Sequence, residues 1–304
     1  MGGTLGRYAA RAGHQVVGTG RSRQTGQDWP GEYAQADATA VNLSEIIRRF
    51  APDVLFHAAG TASVGASLAD PLGDLQAAGL TCANVLEGVR SSGAKPLVII
   101  PSSAAVYGNP QSLPVKENAP LQPISPYGFH KAVCEMLARE YAECFGLDVI
   151  ICRFFSVFGS AQRRLLVWEL HKQLAGSDQI AWLDGTGSES RDFLHIDDVA
   201  EVVLQLVENR VSNPEMDNCL IVNVGRGTET PVKAIAEQLR SMIAPDKEIR
   251  CRGNLRKGDP MRWCADISGL KSLLPSWQPR PLAESLALCV AAWQQEAGIS
   301  QHGS

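Results

Sequence analysis

The chain has 304 residues, 45% of them hydrophobic and 20% charged, with a formal net charge of -4. That balance suits a globular protein with a large core or two lobes, and it offers no basic surface for nucleic acid or for an anionic membrane. No run of about 18 apolar residues occurs, so no membrane-spanning helix is expected. The glycine-rich start lacks the basic region and apolar stretch of a secretory leader, which reads as a cytoplasmic protein. Eight cysteines are scattered without CxxC spacing. Buried, reduced thiols fit that pattern better than a disulfide framework, and no metal site is expected.

Positions 5–12 read as a helix closed by Gly13, 15–18 as a short strand and 43–50 as a helix. A strand at 53–57 runs into Ala58-Ala59-Gly60. A helix at 77–91 precedes a strand at 97–100, which ends at Ser102-Ser103. Pro126 opens a long helix over 126–145, and 149–152 is again a strand. Apolar, β-branched strands alternating with helices predict an α/β fold, a parallel doubly wound sheet of Rossmann type. The second half is more broken: a helix at 161–174, a strand at 180–183, a turn at Asp184-Gly-Thr-Gly187, a helix at 197–208, a strand at 220–224, and helices at 231–242 and 282–295. It predicts a smaller lobe over 161–304, with some segments returning to the sheet domain of 1–160. Ligands of such sheets bind at the carboxyl ends of strands, where Ser102 and Ser103 stand.

Tyr127 and Lys131 are four apart, so a helix places them on one face. An ammonium beside a phenol favours the phenolate, and a serine hydroxyl from the strand end can share the same substrate oxygen. Ser103, Tyr127 and Lys131 thus suit the proton transfer that accompanies hydride transfer. At the start of the chain, Gly3 and Gly6 fit the last two glycines of a G-x-x-G-x-x-G turn, which brings backbone to a pyrophosphate at a helix N-terminus. The first glycine and its strand are expected upstream of Met1. Where NAD binders place an acid for the ribose 2′-hydroxyl, this chain has Arg21 and Ser22. A guanidinium suits a 2′-phosphate, so NADP is favoured over NAD without excluding it, and solvated loop charges are the plainer alternative. Asp37 is placed to accept a hydrogen bond from adenine. The small residues Ala58, Ala59 and Gly60 allow backbone to lie against a cofactor.

These motifs, in this order, resemble those of the extended short-chain dehydrogenases/reductases, in the nucleotide-sugar epimerase/dehydratase group that includes UDP-glucose 4-epimerases. They are Gly3-x-x-Gly6, Pro52 to Gly60, Val64-Gly-Ala-Ser67 with Pro71, Ser102 to Gly108, Ser125-Pro-Tyr127-Gly-Phe-His-Lys131, Arg153-Phe-Phe-Ser156-Val-Phe-Gly159, Arg191-Asp-Phe-Leu-His-Ile-Asp-Asp198 and Arg256-Lys-Gly-Asp259. The resemblance implies Tyr127 as acid/base, Lys131 as the residue that positions the nicotinamide ribose, and Ser103 as a hydrogen-bond partner of the reacting oxygen. It implies Phe154 beside the nicotinamide, Ser156 near the substrate diphosphate, and Arg191 and Arg256 as its grip. It implies no role for His57, His130 or His195 in metal binding or catalysis, and it leaves Trp168, Trp182 and Trp263 mainly to packing. Helices around 83–89 and 133–141 resemble those that pair in family homodimers.

The family's 4,6-dehydratases carry an Asp-Glu pair after the catalytic serine or threonine. Here those positions are Ala104 and Ala105, which cannot move protons. Chemistry at C4 of a nucleotide-diphosphate sugar is therefore expected. It is either epimerisation through a 4-keto sugar or, as the alternative, NADPH-dependent reduction of a 4-keto-6-deoxy sugar. A non-catalytic dinucleotide-binding protein is a third reading, motivated by the half-complete glycine turn.

Overall fold

The computed structural model describes residues 1–23, 28–39, 42–254 and 258–302. The chain opens with α1 (Gly2–Arg11), β1 (Val17–Gly20), β2 (Glu32–Gln35), α2 (Ser44–Phe50) and β3 (Val54–Phe56). Two short helices, α3 (Val64–Ala69) and α4 (Pro71–Leu75), lead through a π-turn at Gln76–Leu80 into α5 (Thr81–Ser92). β4 (Leu97–Ser103) ends in a 3-10 turn, Ala104–Tyr107, and α6 (Pro126–Phe145) precedes β5 (Asp148–Phe154). The second half holds β6 (Ser156–Phe158), α7 (Leu165–Ala175), β7 (Ile180–Leu183), β8 (Ser190–Arg191), β9 (Phe193–His195) and α8 (Ile196–Ser212). It closes with β10 (Cys219–Val224), β11 (Thr230–Pro231), α9 (Val232–Ile243), β12 (Glu248–Cys251), α10 (Ser268–Leu273) and α11 (Leu282–His302).

The central sheet is parallel, in the order β10-β5-β4-β3. Its strands are apolar on both faces because helices cover both. Val98, Ile100, Val149 and Ile151 pack with Leu43, Ile47, Leu86 and Ala138 of the 43–50, α5 and α6 layer. The alternate residues Ile99 and Ile150 face the other way, onto Leu5 of α1, Val199, Val203 and Leu206 of α8, and Leu270 of α10. β10 comes from the second half of the chain and pairs with β5 from Cys219↔Val149 to Val224↔Phe154. A third cluster joins α7, β7, α9 and α11 around Leu170, Ala181, Ile235, Leu239 and Leu286. β1 and β2 form a parallel pair of their own, and no ladder joins β1 to β3 among the described residues. Among the described residues no helix is long and apolar enough to cross a membrane.

Several elements differ from the sequence expectation: α1 already starts at Gly2, so Gly3 and Gly6 lie within it, and three other differences have clear causes. The strand expected at 15–18 lies at Val17–Gly20 and carries two glycines, because aromatic rings use the room they leave. A Cβ at Gly18 would stand 2.6 Å from the Trp29 ring, and one at Gly20 would stand 2.7 Å from the Tyr33 hydroxyl. The helix expected from 77 starts at Pro71, where the Asp70 carboxylate accepts the Gly73 amide at 2.9 Å. α7 starts at Leu165 rather than 161, after an extended Arg164.

Candidate active site

The carboxyl ends of β3, β4 and β5 open on one side of the sheet, and α6 begins there. Ser125 caps α6 through an acceptor contact with the Gly128 amide at 3.2 Å, and Pro126 fills the first turn. Ser67 of α3, fully buried, accepts the Tyr127 amide at 3.0 Å and donates to the Val64 carbonyl at 2.8 Å. The start of α6 thus lies against the turn that follows β4. A Cβ on Gly128 would stand 2.5 Å from the Ala105 carbonyl oxygen.

Lys131 is buried, donates from Nζ to the Pro101 carbonyl at 2.8 Å, and holds that nitrogen 5.8 Å from the centre of the Tyr127 ring. Ser103, two residues after Pro101 on β4, accepts the Ala105 amide at 3.2 Å. That contact uses an oxygen lone pair and not the hydroxyl hydrogen, which keeps its capacity to donate. Tyr127 and Ser103 are half-buried, whereas Ala104 and Ala105 are buried in the core. The carboxyl end of β4 and the start of α6, taken together as the cleft, therefore carry two half-buried hydroxyl residues and one buried ammonium. His57, at the end of β3, feels that ammonium, and burial first and the Lys131 charge second push its pKa down to about 4.

Beneath the cleft is a polar network absent from the sequence reading. Arg153 of β5 is 3% exposed and Glu135 of α6 is 1% exposed. The guanidinium forks onto the carboxylate at 2.9 and 2.7 Å, and its third nitrogen reaches the Tyr107 hydroxyl at 2.8 Å and the Glu117 carbonyl at 2.7 Å. The Ser102 hydroxyl donates to Glu135, and the Tyr107 hydroxyl donates to Asn223 at 2.7 Å. Burial pushes the Tyr107 hydroxyl up to about 12, which keeps it protonated as a donor. A sequence signal existed. An arginine inside a strand whose other residues read as buried on both faces needs a counter-charge.

The cofactor residues of the sequence reading fall into two groups. The N-terminus of α1 abuts the end of β3, since a Cβ on Gly2 would stand 2.8 Å from the Ala58 side chain. Gly3, Ala58, Ala59 and Gly60 are exposed there, and Gly60 has φ +124°, which disfavours any side chain. No side chain caps α1. A helix N-terminus over an exposed floor of small residues fits the pyrophosphate of a dinucleotide. Arg21 and Asp37 are neighbours; hydrogen bonds from Thr39 first, and the Arg21 charge after them, hold the Asp37 carboxyl below the usual range. The Arg21 and Ser22 carbonyls are tied back to β2 by Gln35 at 2.9 Å and the Tyr33 hydroxyl at 3.0 Å, and both residues are exposed. Phe154 is buried and stands opposite Ser103 in the ladder. Gly6 serves packing: a Cβ there would stand 2.6 Å from the Trp29 ring.

On the other side of the cleft, Arg191 donates to the Ser190 carbonyl at 2.8 Å and its guanidinium lies 5.3 Å over the Trp263 ring. Burial lowers its pKa against the pull of Asp259 and Glu189. Trp263 donates to the Gly108 carbonyl at 2.9 Å, and the Met261 amide donates to Asn109 at 3.2 Å. Arg191 is thereby pinned to the turn that follows Ser103. Ser156 is half-buried, and its amide donates to the Asp192 carbonyl at 2.9 Å. The Asp192 carboxylate in turn accepts the amides of Arg226, Gly227 and Ala265 at 2.7 to 3.1 Å. Arg256 lies outside the described residues, but Gly258 follows closely, and a Cβ there would stand 3.1 Å from Ser125 and from Val64.

The profile of the NAD dependent epimerase/dehydratase family matches residues 1–225. The chain belongs to that family. It is an enzyme of the extended short-chain dehydrogenase/reductase type. A relative from Methanocaldococcus jannaschii is 31% identical over 258 residues, 82% of this chain and 79% of its own. The UDP-glucose 4-epimerase of Mycolicibacterium smegmatis is 27% identical over 270 residues, 88% of this chain and 84% of its own. Among solved structures, the UDP-N-acetylglucosamine 4-epimerase from Methanobrevibacter ruminantium M1, in complex with UDP-N-acetylmuramic acid, matches with a TM-score of 0.83. Its identity is 25%, and the match covers 97% of both chains.

Proposed function

We propose that the protein epimerises a nucleotide-diphosphate sugar at C4 through a transient 4-keto sugar. The observation that carries the reading is the cleft of Ser103, Tyr127 and Lys131, in which the two residues after Ser103 are buried alanines. Such a site moves a proton on and off one hydroxyl and carries no acid or base at the two positions after Ser103 for eliminating water. Tyr127 takes the 4-hydroxyl proton as the C4–H bond breaks, and Ser103 donates a hydrogen bond to the same oxygen. Lys131 sets its ammonium nitrogen 5.8 Å from the centre of the phenol ring. Tyr127 returns the proton after the keto sugar has turned its other face. Bound NAD or NADP supplies the hydride acceptor and donor, held by Gly3, Arg21, Ser22, Asp37, Ala58, Ala59, Gly60, Phe154 and the ammonium of Lys131. Arg191, Ser156 and Arg256 hold the diphosphate, and UDP is the first nucleotide to test, given the UDP-glucose 4-epimerase relative from Mycolicibacterium smegmatis.

Arg21 favours a second reading, reduction of a nucleotide 4-keto-6-deoxy sugar by NADPH. Residues 1–160 would then form the cofactor domain and 161–304 mainly the substrate lobe, as in the first reading. The helix around 83–89, expected to pair, turns Val85, Leu86 and Val89 into the core, so the homodimer pairs instead through α4 and α6, where Leu72, Leu75, Phe129, Val133 and Met136 are exposed. Eight free cysteines, most of them buried, fit a reducing compartment such as the cytoplasm. A screen of nucleotide sugars with the cofactor's absorbance followed at the same time tests the reading. C4 epimers formed without added NAD(P)H are expected; turnover that strictly consumes NADPH establishes the reductase instead.

A further inference from the structure

We propose that the buried Glu135–Arg153 ion pair is the positioning device of the catalytic trio. It holds β4 and α6 in the one register that brings Ser103 of β4 to Tyr127 and Lys131 of α6. The proposal rests on the reading of that trio given above.

A buried ion pair is a poor way to stabilise a core, because an apolar pair of similar volume does as well or better. What it offers is direction. Apolar contact tolerates sliding of a helix along a strand, whereas a forked, charge-assisted contact does not. Here the direction bears on Ser103 from three sides. Lys131 and Glu135 are one turn apart on α6, and consecutive residues of β4 receive them. The Pro101 carbonyl accepts from Lys131 at 2.8 Å, and the Ser102 hydroxyl donates to Glu135. Arg153 stands directly opposite Ser102 in the β4–β5 ladder and locks Glu135 with two bonds at 2.9 and 2.7 Å. Its remaining nitrogen, at 2.8 Å from the Tyr107 hydroxyl, fixes the far end of the turn that begins immediately after Ser103. Tyr107 is itself anchored on Asn223 of β10.

The residue before Ser103, the turn after it and the helix facing it are thus tied to one carboxylate and one guanidinium. Glu135, Arg153, Ser102, Tyr107 and Asn223 are buried, at 4% exposure or less, so they act through the trio and not on the substrate.

Glu135→Gln strands a guanidinium in the core and is expected to fold poorly, so two milder variants carry the test. Ser102→Ala leaves the ion pair and cuts its link to β4. The triple variant Ser102→Ala/Glu135→Leu/Arg153→Met removes the pair together with its hydroxyl partner. Both are purified, checked for a cooperative melting transition, and assayed with the nucleotide sugar that the parent turns over. Ser102→Ala is expected to lower kcat about tenfold and the triple variant about a hundredfold, with KM within about twofold of the parent. A folded triple variant with the parent's kcat overturns the proposal, because a purely structural pair alters the melting temperature and not the turnover of the folded enzyme. A crystal structure of the triple variant supplies the second readout. The Lys131–Pro101 contact, 2.8 Å here, is expected to open by about 1 Å or more, and an unmoved contact is equally fatal. A parent that turns over no nucleotide sugar refutes the proposed function, and the displacement of Lys131 still decides the positioning.

Discussion

Replacing His57 by leucine should remove a loss of stability that sets in as the pH falls below 6.5. The imidazole is 6% exposed at the end of β3, and burial, then the Lys131 charge, bring its pKa from 6.5 to about 4. Between those two values the unfolded chain binds a proton that the folded chain refuses. Stability is therefore whole above pH 6.5 and drains away as the pH falls through about 4. At about 1.4 kcal/mol per pK unit, this one group costs about 2 kcal/mol at pH 5 and about 3 kcal/mol at pH 4. Asp198 works in the opposite sense. Burial raises its carboxyl from 3.8 to about 6, so its folded form keeps a proton that the unfolded form releases, and stability rises as the pH falls through that window. Burial shifts His171, His195 and Asp192 too, so the parent's profile is the resultant of several groups, and only subtraction isolates His57. Urea unfolding of the parent and His57→Leu at pH 7, 6 and 5 gives that difference from the midpoints and slopes. Whatever the leucine does to packing shifts its whole curve and cancels. The parent should lose about 2 kcal/mol more than the variant between pH 7 and pH 5. Parallel profiles would show that His57 titrates normally and that the cleft floor is wetter than its burial indicates.

Tyr127→Phe should lower kcat by about three orders of magnitude or more while cofactor binding stays intact, and a variant with the parent's rate would remove Tyr127 from the chemistry. Arg21→Asp should weaken NADP binding by at least about tenfold and leave NAD binding equal or tighter, as read by fluorescence titration; equal losses for both would make Arg21 a solvated loop charge. Leu72→Asp/Met136→Asp should convert a dimer to a folded monomer in light scattering, because both side chains are more than 60% exposed on the chain taken alone. An unchanged mass would place the interface elsewhere.

The parts of the structure that could be read from sequence are those whose cause is local. α6 occupies Pro126–Phe145 as expected, with its cap, proline and closing glycine all in the chain itself. The strand at Ile180–Leu183 and the core of β4 and β5 follow from short apolar runs. What failed depends on partners far away. β6, β8, β9 and β11 are two or three residues long and exist only because of pairings such as Ser156↔Phe193 and Thr230↔Arg191. The shift of β1 to Val17–Gly20 comes from Trp29 and Tyr33, whose rings lie against Gly18 and Gly20. The same division holds in the site. Tyr127 and Lys131 were visible through helical spacing. The glycine spacing reads Gly6 as a cofactor contact, and the space beside it is filled by Trp29, nine residues beyond the end of β1. Glu135 shares the face of Lys131, yet its role depends on Arg153, Ser102 and Tyr107 arriving from three other elements.

The choice between epimerisation and reduction turns on which part of a bound sugar nucleotide is free to move. Epimerisation requires the sugar to present both faces in turn while the nucleotide stays held. In this fold the proposed diphosphate grip and the proton-transfer site belong to one continuous piece. Arg191 stacks on Trp263, Trp263 bonds to Gly108, and Gly108 closes the turn that starts after Ser103. The Glu135–Arg153 pair fixes that turn from below through Tyr107. Neither anchor can follow a rotating sugar, so rotation must occur about the bonds between the diphosphate and the ring. The buried Ala104 and Ala105 place no acid or base beside Ser103 that would hold a further ring hydroxyl in one orientation. A reductase gains nothing from that freedom, because it delivers hydride to one face only. The small residues after Ser103 therefore weigh toward epimerisation for a reason separate from their inability to move protons.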